Sequence, residues 1–300
     1  MKVLILGATG FIGFPTAQAF VRAGHVVYGQ TRSSSKARQL AAEEIIPIVA
    51  DVKDPTAYLH LVSSLDVIID VVGGTDLKEL SDYILNATAD AVQMHRPSHA
   101  PKLAYIYTSG TWVHGDNRTE IVTDTTALAN PVELVAWRPA QEQRVITNPH
   151  LNGIVIRPAL LYGRSGSLLA RLFKSAHAGE VAWYGTPGGR MALIHADDLA
   201  ELYVLTAEKA AIAGKKIFDA ANDVTESTDA VLQRVVEVSG ATGPFRYMEP
   251  TNLFEVALST TTILRPYLAR ALLGWRPRKA GLLDHLELYY TSWKASEGLV

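Results

Sequence analysis

The chain is expected to fold as an α/β protein built on a doubly wound parallel sheet, with a smaller C-terminal domain. Three observations predict it. An apolar run at residues 2–6, KVLIL, leads straight into GATGFIG at residues 7–13, with glycines at G-x-x-G-x-x-G spacing. Further apolar runs recur along the first half of the chain, four of them nearly continuous and each followed by a segment long enough for a helix. Strands that are apolar on both faces belong to a sheet covered on both sides, which requires parallel strands and right-handed crossover helices.

Bulk properties bound the function. At 300 residues and 48% hydrophobic content the chain can bury a large core. A net charge of −2 gives no footprint for nucleic acid or an anionic membrane as partner. The absence of cysteine excludes disulfides, thiolate metal sites and a cysteine nucleophile. No run approaches the eighteen or so apolar residues of a membrane span, and glycines interrupt the apolar N-terminus, which reads as strand, turn and helix rather than as a signal peptide. A cytoplasmic location is expected, with no metal site.

The first strand and its turn carry the strongest signal. One glycine makes the turn, one admits backbone N–H groups to a pyrophosphate, and one lets the helix pack closely on the strand. The anion then sits on the positive end of the helix. Ala17, Phe20 and Val21 form the helix's apolar stripe and Gly24 stops it. This is the Rossmann-type pattern for a dinucleotide.

The second strand, residues 25–32, decides which dinucleotide. An acidic residue at its end would accept hydrogen bonds from a ribose 2′-hydroxyl, whereas a 2′-phosphate needs cations and donors. The chain offers Gln30, Thr31, Arg32, Ser33, Ser34, Ser35 and Lys36. Arginine can grip phosphate bidentately and serines add hydroxyl donors. NADP is therefore expected, with Arg32 as principal ligand; the alternative is a solvated loop whose serines cap a helix.

The third strand, 45–49, ends at Asp51 and Val52, placed to meet an adenine; Asp54-Pro55 is the better start for the next helix. The fourth, 66–72, runs into Gly73 and Gly74, small enough for a ribose to approach. A long helix is expected over 76–96. The fifth strand, 103–107, leads into Thr108, Ser109 and Thr111, hydroxyls at the carboxyl end of a central strand, where open α/β sheets bind ligands. The sixth, 153–157, ends in PALLYG at 158–163.

Taken in order, GATGFIG, the DV after strand three, YTSGTWVHG at 107–115, RPALLYG at 157–163, LIHADDLA at 193–200 and LGWRP at 273–277 resemble the extended or atypical short-chain dehydrogenase/reductase superfamily, and within it the NAD-dependent epimerase/dehydratase branch. The resemblance covers almost the whole chain. It implies that Gly7, Thr9, Gly10, Phe11, Ile12 and Gly13 bind the pyrophosphate and adenosine ribose. It further implies that Asp51 and Val52 touch adenine, Val72 and Gly73 the ribose, and Pro158 to Leu161, with Leu160 among them, the nicotinamide end. It implies a nucleotide domain of residues 1–164 with 193–220 returning to it, a substrate domain of 165–192 and 221–300, and a homodimer paired through two long helices.

The pattern breaks at the chemistry. The family's Tyr-x-x-x-Lys, in which lysine lowers the tyrosine pKa for proton transfer, has no counterpart. No tyrosine stands between Tyr107 and Tyr162, and no lysine between Lys102 and Lys174. Aligning on Glu142 puts Leu134 at the tyrosine position and Arg138 at the lysine position. Aligning on Pro139 puts Trp137 and Gln141 there instead. Arg138 is the favoured nicotinamide-ribose ligand. The usual serine falls at Gly110, so Ser109 or Thr111 takes its role, and His114 replaces a tyrosine and can titrate near neutrality. A structural, hydrogen-bonded histidine is the competing account of His114. His195, Asp197 and Asp198 read as a helix-capping junction. Trp183, Tyr184 and Arg190 read either as a loop over the substrate cleft or as packing between domains.

Two functions follow: an NADP(H)-dependent oxidoreductase acting on a small carbonyl, imine or enone, or a non-catalytic NADP(H)-binding sensor.

Overall fold

The computed structural model describes residues 1–165 and 167–300. Seven parallel strands make the central sheet: β1 Lys2–Leu6, β2 Val26–Thr31, β3 Ile46–Val49, β4 Val67–Asp70, β5 Ala104–Thr108, β6 Asn152–Pro158 and β7 Ile217–Ala220. Their order across the sheet is β3-β2-β1-β4-β5-β6-β7. The order reverses beside β1, so the crevice at the carboxyl ends of β1 and β4 is the switch point where such sheets bind ligands. The seventh strand, IFDA at residues 217–220, carries too few apolar residues in a row to stand out in the sequence.

Alternation along the strands divides the core. Val3 and Ile5 face one side with Phe20 of helix α1 (Gly13–Arg22), Leu199 and Tyr203. Leu4 and Leu6 face the other, with Ile84, Leu85 and Val92 of a long helix, Leu77–His95. Both faces are covered, which is why these strands read as unbroken apolar runs.

After β6 the chain leaves the sheet and builds a second apolar cluster. Helices Ala170–His177, Thr228–Ser239 and Leu286–Ser296 bury Phe173, Val231, Leu232, Tyr290 and Trp293 there. Strand Leu193–His195 pairs with Leu160–Tyr162 and returns the chain to the sheet. Helix Ala196–Glu208 then packs beside α1, and β7 follows.

One part of the expected substrate segment lies elsewhere. Leu264, Ala269, Leu273 and Trp275 belong to the cluster of the central sheet, not to the second one. Thr262–Leu264 pairs with Asn117–Val122, and Trp275 Nε1 donates to Asp198 O (3.0 Å). The residues of LGWRP thus tie the C-terminal part to the sheet, and Asp198, whose carboxylate accepts from Arg278 N and Lys279 N (3.0 Å each), holds the loop after it.

Candidate active site

The glycine turn is built for close approach. Gly7 sits at φ +81°, where only glycine is unstrained. A Cβ on Gly13 would lie 2.2 Å from the Gly7 carbonyl oxygen, so α1 can rest this close to β1 only without one. Gln30, buried at the end of β2, fixes the turn: its Oε1 accepts from Gly7 N (2.9 Å) and its Nε2 donates to Ala50 O (2.6 Å). The expected phosphate donor Gln30 is therefore occupied as a brace.

The residues here fit a dinucleotide. Among the described residues, the N–H groups of Phe11 and Ile12 at the start of α1 have no intramolecular acceptor, which leaves them for an anion at the helix's positive end. At the tip of β2, Arg32 is exposed and has no ion pair among the described residues. Ser33 caps the next helix, its Oγ accepting from Lys36 N; a hydroxyl that accepts there still has a proton to donate. Thr9 and Thr31 hydroxyls meet at 3.2 Å. Asp51 is exposed, its Oδ1 accepting from Lys53 N (2.9 Å), while Val52 is buried, its carbonyl taking the Tyr58 hydroxyl (2.6 Å). Gly73 and Gly74 are open. Val72 is half-buried and donates its N–H to Asp70 Oδ1 (3.1 Å).

A cavity of about 810 Å³ opens at the carboxyl end of the sheet. It brings together Phe11 and Ile12 of the glycine turn, Ser109 and Thr111 after β5, Arg138, and Pro158, Leu160 and Leu161 after β6. Ser109 and Thr111 are each more than nine-tenths buried and form no side-chain hydrogen bond among the described residues. Arg138 opens the helix Arg138–Thr147, with Pro139 in its first turn. Its guanidinium donates to the Tyr107 hydroxyl (3.0 Å) and the Thr108 carbonyl (3.1 Å) and lies 4.9 Å from the Trp137 ring centroid. Burial pushes the Tyr107 phenol up to about 12, with Arg138 pulling the other way. Burial likewise raises the carboxyl of Asp70, which accepts from the Tyr105 hydroxyl (2.9 Å).

Leu134, Trp137 and Arg138 all line the cavity, whereas Gln141 is buried away from it and accepts from Arg144 (3.2 Å). Glu142 instead holds Arg157 through contacts of 2.9 and 2.5 Å. Among the described lining residues there is no tyrosine.

His114 does not line the cavity. Its side chain is 1% exposed and its Nε2 lies 2.8 Å from Asp219 Oδ2, beside Arg157. This placement is that of a buried structural histidine, and it removes His114 from the acid/base candidates. His195 accepts from Asp197 N (3.1 Å) as the cap of the returning helix, and burial lowers its pKa. Trp183 is buried in the second cluster, Tyr184 donates to Glu255 (3.0 Å), and Arg190 binds Thr225. These three are packing rather than a cover over the cleft.

Sequence reasoning did not single out Trp112, Leu168 or Phe254 as lining, and passed over Lys78. Trp112 and Phe254 meet edge to face at 6.4 Å; no spacing in the sequence announces a contact between segments so far apart.

The family model for the NAD dependent epimerase/dehydratase family matches residues 3–221. The chain belongs to that family, an oxidoreductase group of the short-chain dehydrogenase/reductase type. It is 25% identical over 234 residues to a 2-alkyl-3-oxoalkanoate reductase of Stenotrophomonas maltophilia (73% of this chain, 70% of that one). It is 27% identical over 233 residues to a 3-diazoavenalumate denitrifying reductase of a Streptomyces species (70% and 73%). Among solved structures, the dTDP-glucose 4,6-dehydratase of Bacillus anthracis in complex with NAD superposes with a TM-score of 0.81 at 13% identity, covering 99% of this chain and 98% of that one.

Proposed function

We propose that the protein is an NADP(H)-dependent oxidoreductase acting on a small-molecule carbonyl, imine or enone. The observation that carries this is the single cavity wall shared by the glycine turn, the Ser109–Thr111 hydroxyls and the Pro158–Leu161 segment. This supports a nicotinamide end and a polarising hydroxyl facing the same space. The cation Arg32 at the tip of β2, without an ion pair among the described residues and with no acidic neighbour in sequence, supports the 2′-phosphate form. Both curated relatives are named reductases, one of a 3-oxoalkanoate, which supports a carbonyl acceptor.

When bound, the reduced cofactor supplies a hydride to an electrophilic carbon. The chain's part is to orient and protonate. Thr111 or Ser109 donates a hydrogen bond to the acceptor's oxygen or nitrogen, and a hydroxyl or water supplies the proton. Arg138, permanently charged, holds the nicotinamide ribose and stabilises negative charge without exchanging protons. Asp51 and Val52 hold the adenine, and Val72 and Gly73 the ribose next to it.

The absence of a tyrosine among the described lining residues favours one second reading, a non-catalytic NADP(H) sensor. Titration with NADPH and NADH, followed by a carbonyl, imine and enone panel with the reduced cofactor's absorbance as readout, separates the two. Compound-dependent oxidation of NADPH is expected. Tight NADPH binding with no turnover across the panel would favour the sensor.

A further inference from the structure

We infer that the cavity takes an uncharged carbonyl compound with an apolar body and rejects nucleotide-diphosphate substrates; this rests on the cavity being the acceptor site. The argument comes from where the charges stand. The only cations among the described lining residues are Arg138 and Lys78. Arg138 donates through Nη1 to Tyr107 and Thr108, and in the proposed function the rest of its guanidinium serves the nicotinamide ribose rather than the acceptor. Lys78 stands at the exposed mouth between Asp76 and Glu79, which offset it. Both lie on helices packed against the sheet. The opposite wall, from the second cluster and its neighbours, contributes Leu160, Leu168 and Phe254 and no cation among the described lining residues; Arg171 stacks on Phe254, 5.1 Å from its ring centroid, without lining the cavity. A diphosphate against that wall would lose its hydration with no described lining cation there to replace it.

The apolar end has a definite make-up. Trp112, Leu134, Leu168 and Phe254 line it, each half-buried and each packed against an apolar cluster away from the glycine turn. Ser109 and Thr111 border it with hydroxyls that have no partner among the described residues. A molecule with one oxygen at a hydroxyl and an alkyl or aryl body among these four side chains satisfies both ends. A body that fills this space gains roughly fourfold in affinity per added methylene.

The test is calorimetric titration of the full chain, alone and saturated with NADP⁺, with methyl ketones whose chains grow by two methylenes at a time and with UDP-glucose. The expected result is affinity that tightens by roughly fifteenfold at each two-methylene step until the cavity is full, with no heat from UDP-glucose. Phe254→Ser and Leu134→Ser, both at half-buried positions, should each flatten the chain-length dependence. Affinity independent of chain length, UDP-glucose binding as tightly as the longest ketone, or an unchanged slope in both folded variants would overturn the inference. NADPH oxidation is followed in parallel; ketone binding without it would overturn the reductase reading and leave the cavity's selectivity standing.

Discussion

In the proposed function, two side chains carry most of the chemistry. Arg32 is exposed at the tip of β2 with no ion pair among the described residues, so its charge is free for a phosphate. Arg32→Glu removes a charge-assisted contact, about 1.5–3 kcal/mol, and adds repulsion. NADPH affinity should fall by more than tenfold while NADH affinity stays within a few fold, as measured by fluorescence titration; equal losses for both would take Arg32 out of the phosphate site. Thr111 lines the cavity and forms no side-chain hydrogen bond among the described residues. Thr111→Val keeps its shape and deletes the donor. Turnover should drop by about a hundredfold with NADPH affinity unchanged, and a variant of full activity would shift the role to Ser109 or water. His114 shows what residue type alone conceals. Its residue type, standing where the family's Val-Tyr-Gly has a tyrosine, suggests proton transfer, but the side chain is buried against Asp219, and only tertiary structure brings residue 219 there.

At the scale of elements, the β1-turn-α1 unit is the part most fully legible in the sequence. The steric demand is local: Gly13 must lack a Cβ because the Gly7 carbonyl is 2.2 Å from where one would sit. Gly13→Ala forces helix and strand apart, destabilising by about 1–3 kcal/mol, and weakens NADP(H) binding together with stability. Urea midpoints and cofactor affinity measured on the same preparation check this; a loss of stability with affinity intact would mean that the turn positions no ligand. The apolar periodicity of β1, β4, β5 and β6 was equally readable, because strands covered on both faces carry their signal continuously. Strand β7 was not readable. It is short, joins the edge of a sheet already formed, and borrows its pairing from β6. The far wall of the cavity was hidden for a related reason: Phe254 reaches Trp112 only after the chain has folded.

The whole molecule places charge in its interior as well as in its cleft. Asp70 ends β4 at the centre of the sheet, and burial raises its pKa despite hydrogen bonds from Val72 and Tyr105. An acid whose pKa is higher folded than unfolded binds more protons in the native state between the two values, so it makes stability fall as pH rises through that window. Its ordinary value is 3.8, and the loss therefore begins near there and is complete once the pH has passed the raised value. Asp70→Asn removes this component. Subtracting its urea midpoint from that of the wild-type protein at a series of pH values should give a difference that moves against the wild type from acid to neutral, whereas a flat difference would mean that Asp70 does not titrate differently on folding.

The family membership and the sheet order fix a nucleotide fold, and hydroxyls, an arginine and apolar side chains line the cavity at the carboxyl end of its sheet. The most direct test of the account is a reaction with purified protein, NADPH and a long-chain methyl ketone, in which cofactor consumed and alcohol formed are both quantified. The account predicts that they match mole for mole and that NADH is a much poorer donor. NADPH that binds tightly yet yields no alcohol from any ketone, imine or enone would contradict it.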